Sequence, residues 1–99
     1  MAYEHLHTSL TKGNLWLYVL SVLEQKPTSS PRGIKQSVQE RFDFAPATIT
    51  FYSVLYKMTR EGLVKRSSDE FRSEYVITPR GREQLTRARA LLGEVGSKL

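Results

Sequence analysis

Apolar residues recur at helical spacing in three successive stretches of the first part of the chain. The stretches are 11–24, 31–42 and 46–61, and breaker residues separate them. Ser30, followed by a proline, is a typical helix start, because the serine hydroxyl caps the first turn and proline is tolerated at the first helical position. Gly62 is placed to end the third helix. The positions that predict the three inward faces are Leu15, Val19, Val22 and Leu23, then Ile34, Val38 and Phe42, and then Phe51, Leu55 and Met58.

After Gly62 the pattern becomes typical of a hairpin. Residues 63–66 and 72–77 each predict a short strand, with a polar turn between them. Thr78 then precedes a proline and is predicted to cap a last helix that runs to about Gly93 or beyond. This order predicts a mainly α fold with a two-stranded β wing (α+β), which is a winged helix-turn-helix with an additional C-terminal helix.

The chain is 99 residues long, which favours one domain. Within it we expect a mobile N-terminal segment over 1–9, the winged helix-turn-helix over 10–78 and a dimerisation helix over 79–99. The absence of cysteine excludes disulfides and thiol nucleophiles. The longest apolar run, residues 15–20, is far short of the ~20 residues that a membrane span needs. These features predict a soluble cytoplasmic protein.

An enzyme is not expected. The two histidines, His5 and His7, lie in the N-terminal segment without a third metal ligand nearby, so no metal site is expected there. The sequence shows no phosphate-binding loop, no paired carboxylates with a reason to be close and no nucleophile with a base. No cofactor is expected either.

The distribution of charge indicates a polyanionic partner. The net charge is +5, and residues 51–99 contain ten basic and six acidic side chains, so that this half carries +4. A basic surface that binds no partner would have the same composition, so charge alone does not distinguish it from a surface that binds nucleic acid. A basic half combined with a winged fold favours nucleic acid.

The outward face of the third predicted helix is the candidate reading surface for double-stranded DNA. Its short hydroxyl side chains permit a close approach to a groove floor, and Ile49 is suited to a thymine methyl. Cations on the same helix, at the start of the second helix and on the hairpin suit phosphates. For Tyr52, packing and DNA contact are equally good interpretations. The predicted DNA-binding residues are Ser30, Arg32, Lys35, Thr48, Ile49, Thr50, Tyr52, Ser53, Lys57, Lys65, Arg66 and Arg72.

A second apolar surface predicts a homodimer. Residues of the last helix are spaced as a heptad seam, and part of the first predicted helix is apolar on the side away from its core face. Such surfaces require cover, which a twofold partner supplies. The alternative is a monomer in which the last helix folds back on its own first helix. The predicted interface residues are Trp16, Leu17, Leu20, Leu85, Ala88, Leu92 and Val95.

Together these surfaces predict a sequence-specific DNA-binding transcriptional regulator, as a dimeric repressor on a pseudo-palindromic operator. The two reading helices of a dimer would lie about 34 Å apart, in successive major grooves. The alternative is a winged-helix module that binds RNA or another protein without reading a duplex.

Two stretches resemble the PadR-like transcriptional regulators. Residues 50–64, TFYSVLYKMTREGLV, resemble the third helix and first wing strand of that family, and residues 75–85, YVITPRGREQL, are similar to its second wing strand and the start of its last helix. The short last helix resembles that of the smaller PadR-like subfamily. Ile34, Ile49 and Ser53 depart from the family pattern and are expected to change the base preference.

The resemblance implies a dimeric DNA-binding regulator, usually a repressor, that dimerises through its first and last helices. Some relatives bind flat aromatic compounds at the dimer interface. This implication makes a small aromatic effector a candidate ligand, with Trp16 and Tyr18 as candidate lining residues.

Overall fold

The computed structural model of the protein describes residues 1–67 and 73–99. Within these ranges it contains five α-helices, a short 3₁₀ turn and one two-stranded antiparallel sheet. The predicted fold class, mainly α with a β wing, is confirmed. The elements are α1 (Ala2–Leu10), the 3₁₀ turn (Lys12–Asn14), α2 (Leu15–Gln25), α3 (Pro31–Phe42), α4 (Thr48–Arg60), β1 (Val64–Arg66), β2 (Tyr75–Ile77) and α5 (Pro79–Lys98).

The core lies between α2, α3 and α4, and the first half of α5 closes it. These helices bury the apolar positions that their periodicity predicts, except that Phe42 is only partly buried, because removing these side chains from water stabilises the fold. Phe51 of α4 is completely buried, so the opposite face of the same helix is directed to solvent. The buried apolar residues are Leu15, Val19, Leu20, Val22, Leu23, Ile34, Val38, Phe44, Phe51, Leu55, Met58, Leu63, Val64 and Leu85.

The wing is a short antiparallel ladder in which Val64 pairs with Ile77 and Arg66 pairs with Tyr75. On its other side Tyr75 exchanges two backbone hydrogen bonds with Ser29, which precedes the N-cap of α3. The wing is therefore connected to α3 as well as to the end of α4. The predicted phosphate contact Arg72 lies outside the described residues.

The N-terminal segment forms the helix α1, and the expectation that residues 1–9 are mobile stays a prediction. The hydroxyl of Thr11 donates to the carbonyl of His7 at 2.7 Å, at the end of α1. The first predicted helix was expected to begin at residue 11, but Thr11 ends α1, and α2 begins only at Leu15. The amide of Asn14 donates to Ser9 at 2.5 Å and further fixes this turn. No residue of α1 is buried, so α1 adds nothing to the core.

Two residues that were predicted to face a partner subunit belong to the core of the protein itself. Leu20 and Leu85 are 0% and 2% exposed, because the first half of α5 packs across α2. A helical wheel with one core direction placed Leu20 outside, whereas α2 is covered by α3, α4 and α5 together and so buries a wider arc. For this half of α5 the alternative of folding back on its own first predicted helix is correct.

The start of α5 is fixed by Thr78 and Gly81. The hydroxyl of Thr78 donates to the carbonyl of Gly62 at 2.5 Å and accepts from the backbone N–H of Gly81 at 3.0 Å. Gly62 has a φ of 77°, a left-handed conformation that glycine adopts without strain. The capping predicted for Thr78 and the helix end predicted at Gly62 are confirmed. None of the described helices combines the length and apolar character that crossing a membrane requires.

Candidate nucleic-acid interface

The outward face of α4 is fully available for contact. Ile49 is 85% exposed, and Ser53, Tyr56 and Arg60 share its side of the helix. Because Phe51, on the opposite side, is buried in the core, the orientation of α4 is fixed by packing. The exposure predicted for this face is confirmed, and an apolar side chain as exposed as Ile49 has no packing role within the described chain.

Aromatic residues of α4 lie where the outward face turns toward the wing. The ring of Tyr52 packs edge-on against Phe51, with ring centroids 5.6 Å apart, and half of the residue remains exposed. Both interpretations of Tyr52 are therefore compatible with its position. The guanidinium of Arg60 lies 5.9 Å from the ring centroid of Tyr56, close enough for a cation–π contact.

The start of α3 lies beside the start of α4. The hydroxyl of Ser30 accepts from the backbone N–H of Gly33 at 3.1 Å, which confirms the predicted cap. Arg32 is exposed, and Lys35 donates from Nζ to Oγ1 of Thr48 at 2.6 Å. The predicted phosphate contacts of α3 and the predicted reading residues of α4 are thus neighbours in space.

The two described cations of the wing lie on opposite faces of the hairpin. Side chains alternate along a strand, so Arg66 shares a face with its partner Tyr75, whereas Lys65 points to the other face. Arg66 donates from Nη2 to the hydroxyl of Ser73 at 2.7 Å. Arg66 is therefore directed to the side of the wing that faces α4, and Lys65 is not.

A half-open groove of about 430 Å³ separates α4 from the wing. Tyr75 lines it and was not among the predicted site residues. The signal for Tyr75 was its position on the strand opposite Arg66, but the register of the hairpin had to be known first. The residues that line the groove are Tyr52, Leu55, Tyr56, Thr59, Arg66 and Tyr75.

A second cavity of about 430 Å³ lies on the other side of α4, beside Trp16. Its lining also contains three charged side chains: Lys57 of α4, Glu61 directly after α4, and Arg80 of α5. The full lining is Gly13, Trp16, Val54, Lys57, Met58, Glu61, Leu63, Arg80 and Gln84.

Tyr18 does not line this cavity. Its ring packs edge-on against Phe42 and Phe44, with centroids 4.8 and 5.0 Å away, and its hydroxyl donates to the carbonyl of Leu10 at 2.5 Å. Burial raises the pKa of the Tyr18 hydroxyl above its ordinary value. The structure therefore separates the two aromatic residues that were considered together for an effector.

Solved structures of transcriptional regulators share this architecture. A transcriptional regulator from Clostridium thermocellum is 22% identical, with a TM-score of 0.76 over 93% of this chain and 95% of that one. A PadR-like transcriptional regulator from Bacillus cereus is also 22% identical, with a TM-score of 0.73 over 93% and 91% of the two chains. The chain has the winged-helix fold of the PadR-like regulators.

The resemblance of residues 50–64 and 75–85 to the PadR-like regulators is thus confirmed at the level of the fold. These structures are named as transcriptional regulators. The same fold occurs in F93 from STIV, a winged-helix DNA-binding protein that is 8% identical, with a TM-score of 0.73 over 86% and 92% of the two chains. No protein-family model and no curated protein matches the sequence.

Proposed function

We propose that the protein binds double-stranded DNA with sequence preference and thereby regulates transcription. The observation that carries the proposal is the position of the exposed α4 face between two cationic elements. Lys35 of α3 is hydrogen-bonded at one end of this face, and Arg66 of the wing lies beside the other. A helix of this kind fits the major groove while cations on either side neutralise phosphates.

In this proposal the first turns of α4 read bases and the surrounding elements hold the backbone. Thr48, Thr50 and Ser53 supply hydroxyls to base edges, and Ile49 contacts a thymine methyl. Tyr52 borders the reading face. The proposed phosphate contacts are Ser30, Arg32, Lys35, Lys57, Lys65, Arg66 and Arg72.

We propose a homodimer as the DNA-binding form. The distal half of α5 projects beyond the core, with Leu92 and Val95 about half exposed and Ala88 partly buried. Trp16 and Leu17 of α2 are only partly buried and extend the apolar surface. A twofold partner that covers these residues would present two copies of α4 to a pseudo-palindromic operator in the cytoplasm, and occupying that operator would repress transcription.

The cavity beside Trp16 is the place that we propose for a flat aromatic effector. Its volume is within the range of small-molecule sites, and it combines an indole ring with charged side chains. Trp16 is the only tryptophan of the chain, so its fluorescence reports this cavity alone. Quenching of that fluorescence by planar aromatic compounds, with a matching change in DNA affinity, is expected. Quenching without any effect on DNA binding would contradict an effector role.

The test of the proposed function is selection of bound fragments from a random duplex pool, followed by binding measurements on the selected duplex. We expect a symmetric preferred sequence, a dimer by light scattering, and a steep loss of affinity as salt rises from about 50 to 200 mM. Single-stranded RNA is the competitor for comparison. A monomer that is indifferent to duplex DNA, or that prefers the RNA, would overturn the proposal in favour of another kind of winged-helix module.

A further inference from the structure

The groove between α4 and the wing is built from three tyrosines and one arginine. Tyr52 and Tyr56 come from α4, Tyr75 and Arg66 come from paired positions of the wing, and Leu55 forms the buried floor. Tyr75 is held in place because its backbone N–H and C=O both bond to Ser29, while on its other side it pairs in register with Arg66 of β1. The groove is therefore a rigid feature of the fold and not a gap beside a loose side chain.

The hydroxyls of these tyrosines are available to a ligand. Among residues 1–67 and 73–99, no hydrogen-bond partner is found for the hydroxyls of Tyr52, Tyr56 or Tyr75. Tyr18 differs from them, because its hydroxyl donates a hydrogen bond to the carbonyl of Leu10. The hydroxyl of Thr59 is likewise committed, because it donates to the carbonyl of Leu55 at 2.9 Å. The free donors of the groove are thus the tyrosine hydroxyls and the remaining N–H groups of Arg66.

We propose that this groove holds the sugar–phosphate backbone of one DNA strand beside the major groove that α4 enters. The inference rests on the proposed function and deepens it. Flat tyrosine rings with a leucine floor suit the apolar faces of deoxyribose, while the hydroxyls and the guanidinium suit phosphate oxygens. The positive charge of Arg66 complements the strand, and the groove continues directly from the exposed face of α4.

The geometry gives the two kinds of donor separable roles. Arg66 neutralises a phosphate and so contributes to the salt dependence of binding, because it displaces a counterion from the DNA. The hydroxyl of Tyr75 is uncharged, so it contributes a hydrogen bond without contributing to the salt dependence. Neither group touches a base edge, so both act equally on every sequence.

The experiment compares Tyr75→Phe, Tyr56→Phe and Arg66→Gln by fluorescence anisotropy on a selected duplex and on a scrambled duplex across a salt series. Each Phe variant is expected to lower the affinity for both duplexes by roughly three- to tenfold, the cost of one hydrogen bond, with an unchanged salt slope. Arg66→Gln is expected to lower the affinity for both and to reduce the salt slope by about 1.

Tyr3→Phe is the matched control, because Tyr3 is an exposed tyrosine on α1 and should leave binding unchanged. Unfolding temperatures equal to that of the unchanged protein establish that the Phe variants fold. Phe variants that bind both duplexes as tightly as the unchanged protein would overturn the backbone groove while leaving DNA binding intact. A loss confined to the selected duplex would also overturn it, because the tyrosines would then read bases. Failure of the unchanged protein to bind any duplex would instead refute the proposed function.

Discussion

Lys35 donates a hydrogen bond from Nζ to Oγ1 of Thr48 at 2.6 Å, and this contact joins the start of α3 to the start of α4. A free lysine side chain samples many rotamers, so the bond holds its charge in one place beside the proposed reading face. Because Lys35 uses only one of its three N–H donors here, two remain for a phosphate. Thr48 still has its own hydroxyl hydrogen to donate. The two residues are therefore expected to act as a unit.

Lys35→Met and Thr48→Val should be coupled in DNA binding. Lys35→Met is expected to weaken binding to all duplexes and to lower the salt slope by about 1. In a double-mutant cycle, the combined variant should lose at least about 0.5 kcal/mol less than the sum of the single losses, since either change already breaks the contact. Lys12→Met, an exposed lysine in the 3₁₀ turn, is the control. Losses that add to within about 0.3 kcal/mol would show that the residues act separately.

Thr50 and Ser53 should control sequence preference. Thr50→Val and Ser53→Ala remove hydroxyls from the exposed face of α4, so the difference in affinity between selected and scrambled duplexes is expected to shrink by about 1 kcal/mol. Lys57→Gln is the comparison, because it should weaken both duplexes alike. The measurement is competition binding with single-base variants of the selected site. Equal losses on specific and random DNA for both kinds of variant would show that α4 does not read the sequence.

The order of the elements from α2 to α5 was predictable because each of them has a strong local pattern. Ser30 and Thr78 cap helices where the sequence indicated, and the 3.6-residue period of α4 identified its buried and exposed faces. Leu20 was assigned incorrectly because a helical wheel with one core direction underestimates the buried arc of α2. Leu85 was assigned incorrectly because a heptad spacing does not distinguish packing on the same chain from packing on a partner. That distinction depends on where the first half of α5 crosses α2, which is a tertiary property.

Two further features of the candidate sites could not be predicted from the sequence pattern. Tyr75 became a site residue only through its pairing with Arg66 and its bonds to Ser29, and both are set by strand register. Trp16 and Tyr18 are two residues apart in sequence, yet they lie against different parts of the fold. Proximity in sequence therefore gave no indication that only one of them lines a cavity.

Leu85 and Leu92 lie one heptad apart and should respond differently to substitution. Leu85→Ala removes a buried side chain and should lower the free energy of unfolding by about 2–5 kcal/mol. Leu92→Asp alters an exposed position, so it should leave the unfolding of a monomer nearly unchanged and should prevent dimerisation. Chemical denaturation and sedimentation measure the two effects. A dimer of undiminished affinity in Leu92→Asp would show that the distal half of α5 is not the interface.

The ion pair between Glu24 and Arg89 should make the stability depend on pH. Arg89 donates two hydrogen bonds to the carboxylate, at 3.0 and 2.8 Å, and thereby lowers the pKa of Glu24. A lowered pKa means that the folded state binds this proton less readily than the unfolded state. The pair therefore contributes stability above about pH 4.3, the ordinary value for glutamate, and loses it as the pH falls through the lowered pKa.

Glu24→Gln is expected to lower the free energy of unfolding by about 0.2–1 kcal/mol near neutral pH, since the pair is partly exposed. The difference from the unchanged protein should vanish in acid. Glu94→Gln, which removes the exposed pair with Lys98 within α5, should cost less. Denaturation across a pH series provides the measurement. A constant difference between Glu24→Gln and the unchanged protein at every pH would mean that the charge of Glu24 is irrelevant to folding.

Gly81 and Gly93 are both helical glycines of α5, and alanine should have opposite effects at them. A Cβ at Gly81 would collide with the backbone carbonyl of Leu63 and would lie 2.9 Å from Cγ1 of Ile77. The carbonyl of Leu63 cannot move freely, because it accepts a hydrogen bond from the backbone N–H of Thr78. Gly81→Ala is therefore expected to lower the free energy of unfolding by about 1–3 kcal/mol, as overpacking does elsewhere, despite the higher helix propensity of alanine.

At Gly93 a Cβ would meet no atom within 4 Å, so the higher helix propensity of alanine is the only effect of the substitution on stability. Gly93→Ala should raise the free energy of unfolding by about 0.5–1 kcal/mol, because alanine loses less backbone freedom than glycine on entering a helix. Measuring both variants by chemical denaturation isolates the close approach of α5 to the backbone of Leu63 as the reason for a glycine at position 81. If Gly81→Ala were as stabilising as Gly93→Ala, α5 would not begin against Leu63, and the packing that buries Leu20 and Leu85 within one chain would have to be different.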